Sequence, residues 1–246
     1  YSAMVVYSTS PSSPSYIMYQ DSTANYYLRL EAETMYQIYV KSADIDFGVS
    51  CTQYLGKYAT FGAFVGYLRN VVPTTQLPVI IHYSGHGKLI DGIPAIDLWK
   101  DSATRKYYKP LAFKFYVWEN MLNNALIVYL DACYSTYNPS STNPDNSFRA
   151  LFLDYAGASY FIGSIGKVHS AFAMDVATYF IAEIIYKMKT GGLELIDNIF
   201  KSIKNEVYNE WLDNAEWYAK AGEVVLHSAE HIAEHIIEIV EIGASV

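Results

Sequence analysis

"VIIHYSGHG" occupies residues 79–87 and "IVYLDACYS" occupies residues 127–135. Both open as unbroken, β-branched apolar runs, the pattern expected of strands buried on both faces in a parallel sheet. Each then ends abruptly, one on His86-Gly87 and the other on Asp131-Ala132-Cys133. Strands that only filled a core would have no use for a histidine and a cysteine at their exits. In open α/β sheets, ligands bind beyond the carboxyl ends of the strands. His86 and Cys133, 47 positions apart, are therefore expected to meet at one edge of the sheet.

The surrounding chain alternates strand and helix, which points to an α/β domain with helices on both faces of the sheet. "AMVVYS" (3–8) reads as a short strand closed by "TSPSSPS", then "DSTANYYLRLEAETM" as a helix and "YQIYVKS" as a strand. From Thr52 to Val72 apolar residues recur at helical spacing up to Pro73. "IPAIDLW" (93–99) reads as a shorter strand and "LAFKFYVWENMLNN" (111–124) as a helix. After "ALIVYLDA", the loop "YNPSSTNPDNS" leads to a helix "FRALFLDYAG", a strand "SYFIGSI" and a helix ending on Gly191-Gly192. Two further helices are expected, over about 193–211 and 215–242. The last forty residues, 207–246, read as a C-terminal helical extension to a sheet domain covering 1–206.

Composition bounds the function. The chain has 246 residues and a formal net charge of −8, which argues against a nucleic-acid partner, since phosphate binding needs a basic surface. An acidic protein would suit a basic substrate. No stretch approaches 18 consecutive apolar residues, so no membrane span is expected within the chain. Two cysteines, Cys51 and Cys133, are too few for a disulfide scaffold. The opening "YSAMVVYS" lacks an initiator Met and suggests a trimmed or processed form. With 24 tyrosines and many Ser, Thr and Asn, the composition suits an extracellular surface.

The residue types at the two exits match acyl-transfer chemistry. A thiolate can attack a peptide carbonyl, and an imidazole can protonate the leaving amine. Gly87 leaves its N–H unobstructed, and with the N–H of Cys133 it could hold the developing oxyanion. One fixed donor of that kind contributes roughly 3 kcal/mol to the transition state. Taken singly, His86 reads equally as a hydrogen-bonded strand-end histidine and Cys133 as a small buried hydrophobe. His82 lies inside its strand and reads as core, and Cys51 as a packed thiol near a helix start.

"HYSGHG" together with "DAC" resembles the signature pair of caspase-fold cysteine peptidases, and His-to-Cys separations of about 50 residues are typical of caspases. The first motif is closest to metacaspases; clostripain, gingipain and legumain are similar in outline. The resemblance implies a caspase-like, mostly parallel β-sheet flanked by helices on both faces. It implies Cys133 as nucleophile, His86 as general acid/base and no required cofactor. Calcium activation, common in metacaspases, is left open for want of matched ligands. The chain reads "CYST" where metacaspases continue Cys-His-Ser-Gly, which leaves the subfamily open.

By the same resemblance, Asp131 lies at the base of the pocket for the P1 side chain and Ser84 lines it. A carboxylate there favours polypeptide substrates with Arg or Lys at P1. The alternative for Asp131 is a structural acceptor for loop amides. "LWKDSATRKYYKP", with Lys100, Arg105, Lys106 and Lys109, is then a candidate autoprocessing loop, against a solvated basic loop. His227, His231 and His235 follow one helical face at i, i+4 and i+8, a spacing that could grip Zn²⁺. Opposite them Val225, Ala229, Ile232, Ile236 and Ile239 form an apolar stripe, so the histidines also fit the wet face of an amphipathic helix. That stripe offers a packing face to the domain or to a second subunit in a homo-oligomer. No metal site is assigned. A catalytically silent caspase-fold assembly subunit and a legumain-like peptidase/ligase are the competing functions.

Overall fold

The computed structural model describes residues 3–8, 50–54, 58–75, 78–101, 103–138, 140–168, 170–190, 196–219 and 242–243. The expected helix at 21–35, the strand at 36–42, His169 and the histidines of the C-terminal stretch lie outside them.

The first strands are β1 (Ala3–Ser8) and β2 (Ser50–Tyr54), followed by helix α1 (Phe61–Asn70). Thr60 caps α1: in extended conformation, it accepts the Ala63 N–H on its hydroxyl at 3.0 Å. Thr52–Tyr54 are therefore strand, not the start of a helix running to Val72. The apolar spacing there is served by pairing with β1, in which Cys51 stands opposite Tyr7. Cys51 thus lies within a strand rather than near a helix start.

Strand β3 (Val79–Ser84) is buried at every position. Beyond it β4 (Gly87–Ile90), β5 (Ile93–Trp99) and β6 (Arg105–Tyr108) form a separate antiparallel sheet. Helix α2 is only Pro110–Lys114. The expected helix to Asn124 stops there because tertiary hydrogen bonds claim the next backbone amides. Asn120 donates to Tyr155 O at 2.9 Å and Leu122 to Ala156 O at 2.7 Å. Asn120 itself takes a φ of 58°, which no helix allows.

Strand β7 (Ala125–Asp131) precedes a π-helix over Ala150–Tyr155, then β8 (Tyr160–Gly163), α3 (Ser170–Thr190), α4 (Ile196–Ala219) and β9 (Ile242–Gly243). Helix α4 is continuous through residue 206, and Val207 is buried in the domain core. Ile242 ends in a strand against Phe161, not in a helix.

The main sheet has the order β2-β1-β3-β7-β8-β9. The central pairs β3–β7 and β7–β8 are parallel, while β1 and β9 bring antiparallel pairings on either side. The sheet is thus mixed rather than mostly parallel, since apolar patterning reports burial but carries no strand direction. Alternation sorts the side chains cleanly. Ile81, Tyr83, Val128, Leu130 and Phe161 face one core with Phe64, Phe113 and Phe152. Ile80, Ile127, Tyr129 and Ile162 face the other, against Val176, Phe180 and Ile184 of α3 and Phe200 of α4. Helices therefore cover both faces, as expected. No helix among the described residues is long and apolar enough to cross a membrane.

Candidate active site

The parallel pairing of β3 with β7 sets Ser84 opposite Asp131 at the last rung of the ladder. Both chains then leave the sheet together, and Gly85 N–H donates to Asp131 O at 3.0 Å. His86 and Gly87 follow at once on one strand, and Cys133 two residues on from the other. The two exits touch: a Cβ built on Gly87 would lie 2.0 Å from the Cys133 carbonyl oxygen and 3.1 Å from its amide nitrogen. Only a residue without a side chain fits there. The histidine-bearing turn and the cysteine are thus packed backbone to backbone, as their positions beyond two neighbouring strands require.

Cys133 is half-buried and a free thiol. Its Sγ accepts from Val168 N–H at 3.4 Å and lies 3.7 Å from Val168 O, so the loop after β8 forms one wall around it. The turn is bound tightly behind the thiol. Tyr134 N–H donates to Gly166 O at 2.8 Å and Thr136 N–H to Ser164 O at 2.9 Å. Tyr134 adopts a φ of 62°, a left-handed conformation that costs a non-glycine residue on the order of 1 kcal/mol. Buried Ser135 ties the turn to both strands, donating to Leu130 O at 2.7 Å and accepting Ser164 N–H at 2.9 Å. Gly163 must be glycine for this packing, since a Cβ there would meet Thr136 Oγ1 at 2.2 Å and Ser135 Oγ at 2.6 Å.

His86 is exposed at the rim. Packing around its ring, and then the positive charge of Arg105, hold its pKa below the ordinary 6.5. The neutral, proton-accepting imidazole is therefore favoured near pH 7. Arg105 reaches the site because it is ion-paired with Asp97, which is buried in β5 beside the histidine turn. Burial raises the Asp97 pKa and the Arg105 guanidinium opposes that rise. Tyr107 on β6 also belongs to this surround: burial, then Asp97, raise its pKa, and Cys133 adds to the rise. Lys88 lies over the Tyr107 ring, 3.9 Å from its centroid.

Ser84 and Asp131 are both buried, and Ser84 Oγ donates to Asp131 Oδ2 at 3.3 Å. Desolvation pushes the Asp131 pKa up to about 7, and the Ser84 hydrogen bond only partly opposes it. A buried carboxyl so poorly compensated suits a position that a cationic group can complete. His82, on the same face two residues earlier, is wholly buried against Tyr129 with ring centroids 5.2 Å apart. Its burial lowers its pKa to about 3, so it is a neutral core residue, as its mid-strand position implied.

The basic segment 100–109 is not an open loop. Arg105 and Lys106 lie in β6, Arg105 is held by Asp97, and Lys109 pairs with Asp91 at 2.9 Å. Lys100 sits exposed in the turn between β5 and β6, and Lys106 is exposed within its strand. Sequence reasoning overlooked Asp97, although a carboxylate inside an apolar strand signals a buried partner. It had no means to find Tyr107, Ser135, Gly163 or Val168, which reach the site only through the fold. Among the described residues, no group of three or more His, Cys, Asp or Glu side chains could hold a metal ion. No protein-family model matches the chain, and no curated protein matches it either.

Proposed function

We propose that the chain is a cysteine endopeptidase acting through a Cys133–His86 dyad, with a preference for Arg or Lys at P1. The observation that carries this reading is the contact of Gly87 with the Cys133 backbone, 3.1 Å from a would-be Cβ to the amide nitrogen. This contact brings the Gly87 backbone against the amide of half-buried Cys133, with His86 the residue before Gly87, which supports an oxyanion site beside a Cys–His dyad. In the proposed reaction the thiol gives its proton to His86, and the sulfur forms a bond to the scissile carbonyl carbon. The carbonyl oxygen takes the negative charge between the N–H groups of Gly87 and Cys133. Collapse of this intermediate breaks the C–N bond, and the amine leaves with the proton from His86. Water, deprotonated by His86, then hydrolyses the thioester and releases the free thiol.

The preference for a basic P1 rests on Asp131, buried and hydrogen-bonded to Ser84 at the same sheet edge. A guanidinium or ammonium brought beside it would compensate the desolvated carboxylate, whereas a P1 aspartate would set two carboxyls together. Lys100, exposed in its turn, is better suited to autoprocessing than Lys106, which is exposed but paired in a strand.

The test is hydrolysis of fluorogenic peptides with Arg, Lys, Asn or Asp at P1, in reducing buffer with and without calcium, beside Cys133→Ala. Turnover confined to Arg and Lys and abolished by the substitution is the expected result. Cleavage after Asn would retain the dyad and point to a legumain-like peptidase or ligase. Folded protein without turnover and with an unreactive thiol would favour the assembly subunit. Mass spectrometry of active protein uncut after Lys100 would remove autoprocessing from the proposal.

A further inference from the structure

The peptide between His86 and Gly87 has two ends with different neighbours. A trans peptide aims its C=O and its N–H in opposite directions, so fixing one fixes the other. The His86 C=O accepts the Asp97 N–H at 2.9 Å, at the point where β4 and β5 begin to pair. The Tyr83 hydroxyl lies 2.7 Å from Asp97 O and 3.3 Å from His86 O. Its one proton goes mainly to the nearer carbonyl and is shared with the farther. Tyr83 is fully buried, so this hydroxyl is held in place by the packed core beneath the sheet. The hydroxyl, the Asp97 backbone and the His86 carbonyl thus form a closed set of contacts on the side of the peptide plane opposite the Gly87 N–H.

From this arrangement we infer that Tyr83 is a positioning residue for the oxyanion site, orienting the Gly87 N–H through the His86 and Asp97 carbonyls. The inference rests on the peptidase reading above. A carbonyl that accepts hydrogen bonds also polarises its own amide, which makes the N–H on its other side a better donor. The contribution of Tyr83 therefore appears only when the carbonyl oxygen of the substrate becomes negative. Thiol reactivity toward an alkylating agent, which forms no oxyanion, does not depend on it.

The experiment is Tyr83→Phe in the full chain, measured for kcat and KM on the best substrate of the panel and for the rate of Cys133 alkylation by iodoacetamide. Removing an oxyanion donor outright lowers kcat by about 10²–10³, and loosening one is expected to lower it about tenfold. KM and the alkylation rate should stay within about twofold of wild type. Incorporation of p-aminophenylalanine at position 83, which again places a donor there, should recover most of the lost kcat. Unchanged kcat in Tyr83→Phe overturns the inference, as does a parallel loss of kcat and alkylation, which would mean a disturbed dyad. If Tyr83→Phe does not fold by circular dichroism, p-fluorophenylalanine at position 83, which fills the place of the hydroxyl but donates no hydrogen bond, becomes the probe. Lowered kcat with unchanged KM and alkylation then supports the inference, and wild-type kcat overturns it. Wild-type protein that hydrolyses no peptide of the panel overturns the peptidase reading and this inference together. Turnover by wild type with full activity in Tyr83→Phe overturns this inference alone.

Discussion

Gly87 and Cys133 are in backbone contact: the space a side chain would need at Gly87 is taken by the Cys133 carbonyl, 2.0 Å from the Cβ position. Neither strand could shift to admit a methyl, because Gly85 is bonded to Asp131 and Asp97 to His86 on either side. Gly87→Ala is therefore expected to destabilise the fold by about 1–3 kcal/mol, the usual cost of overpacking. If the proposed oxyanion site is right, it should also lower kcat/KM by at least about 10², through displacement of its donors. Chemical denaturation and steady-state kinetics on the same preparation check both.

Asp131 offers a test in which stability and activity part. Its pKa is raised from 3.8 to about 7 in the folded protein, whereas the unfolded chain ionises it near 3.8. Folding then binds a proton between those limits, so this group's contribution to stability falls as pH rises from about 4 to 7 and is flat above. Asp131→Asn should accordingly gain stability over wild type across that window, at on the order of 1 kcal/mol per pH unit. The same variant should lose cleavage after Arg and Lys. Denaturation curves at pH 4.5, 6 and 7.5 measure the first effect, and the peptide panel measures the second.

In the proposed P1 pocket, a basic side chain pairs with the ionised form of Asp131. For wild type, kcat/KM on an Arg peptide should rise with pH up to about 7 and level off beyond it. A citrulline peptide, isosteric but uncharged, should lack the Asp131 limb while retaining the His86 limb, which lies below 6.5. Identical profiles for the two peptides would remove Asp131 from P1 recognition.

His82 should make the fold acid-sensitive. Its folded pKa of about 3 lies below its unfolded value of 6.5, so stability is fully present above 6.5 and is lost as pH falls toward 3. The slope from this group approaches about 1.4 kcal/mol per pH unit. His82→Phe, which keeps a ring against Tyr129, should flatten the stability profile between pH 6 and 4. A profile as steep as that of wild type would assign the acid sensitivity to other groups.

The Asp97–Arg105 pair joins β5 to β6 beside His86. Arg105→Gln leaves a buried carboxylate without its counter-charge and is expected to cost about 3 kcal/mol, less to the extent that solvent reaches the arginine. Asp97→Asn combined with Arg105→Gln should cost less than the sum of the two single changes, the signature of direct coupling. Loss of the Arg105 charge should also raise the His86 pKa, readable from its imidazole proton shifts by NMR. An unmoved His86 would show that the pair acts on the fold alone.

Much of this was legible along the chain. Apolar runs at 79–84 and 125–131 marked two central strands, while only the motif resemblance grouped Ser84 with Asp131. His86, Gly87 and Cys133 could be placed at a common edge because parallel neighbours end together. The cap at Thr60 is also encoded locally, yet the helical spacing taken from Thr52 onward passed over it. The reading failed where long-range bonds decide the local conformation. Residues 111–124 carry helical spacing, yet amides at Asn120 and Leu122 bond to the end of the π-helix instead.

The sequence by itself therefore determined which runs form the buried central strands and which residues stand at their exits. These properties follow from side-chain period and polarity, which are local. Only the tertiary structure decided the antiparallel direction of β1 and β9, because apolar alternation is the same read from either end. It alone brought Asp97, Arg105, Tyr107 and Val168 to the histidine and the cysteine. Contacts between segments tens of residues apart depend on how whole elements pack, and no local pattern encodes that.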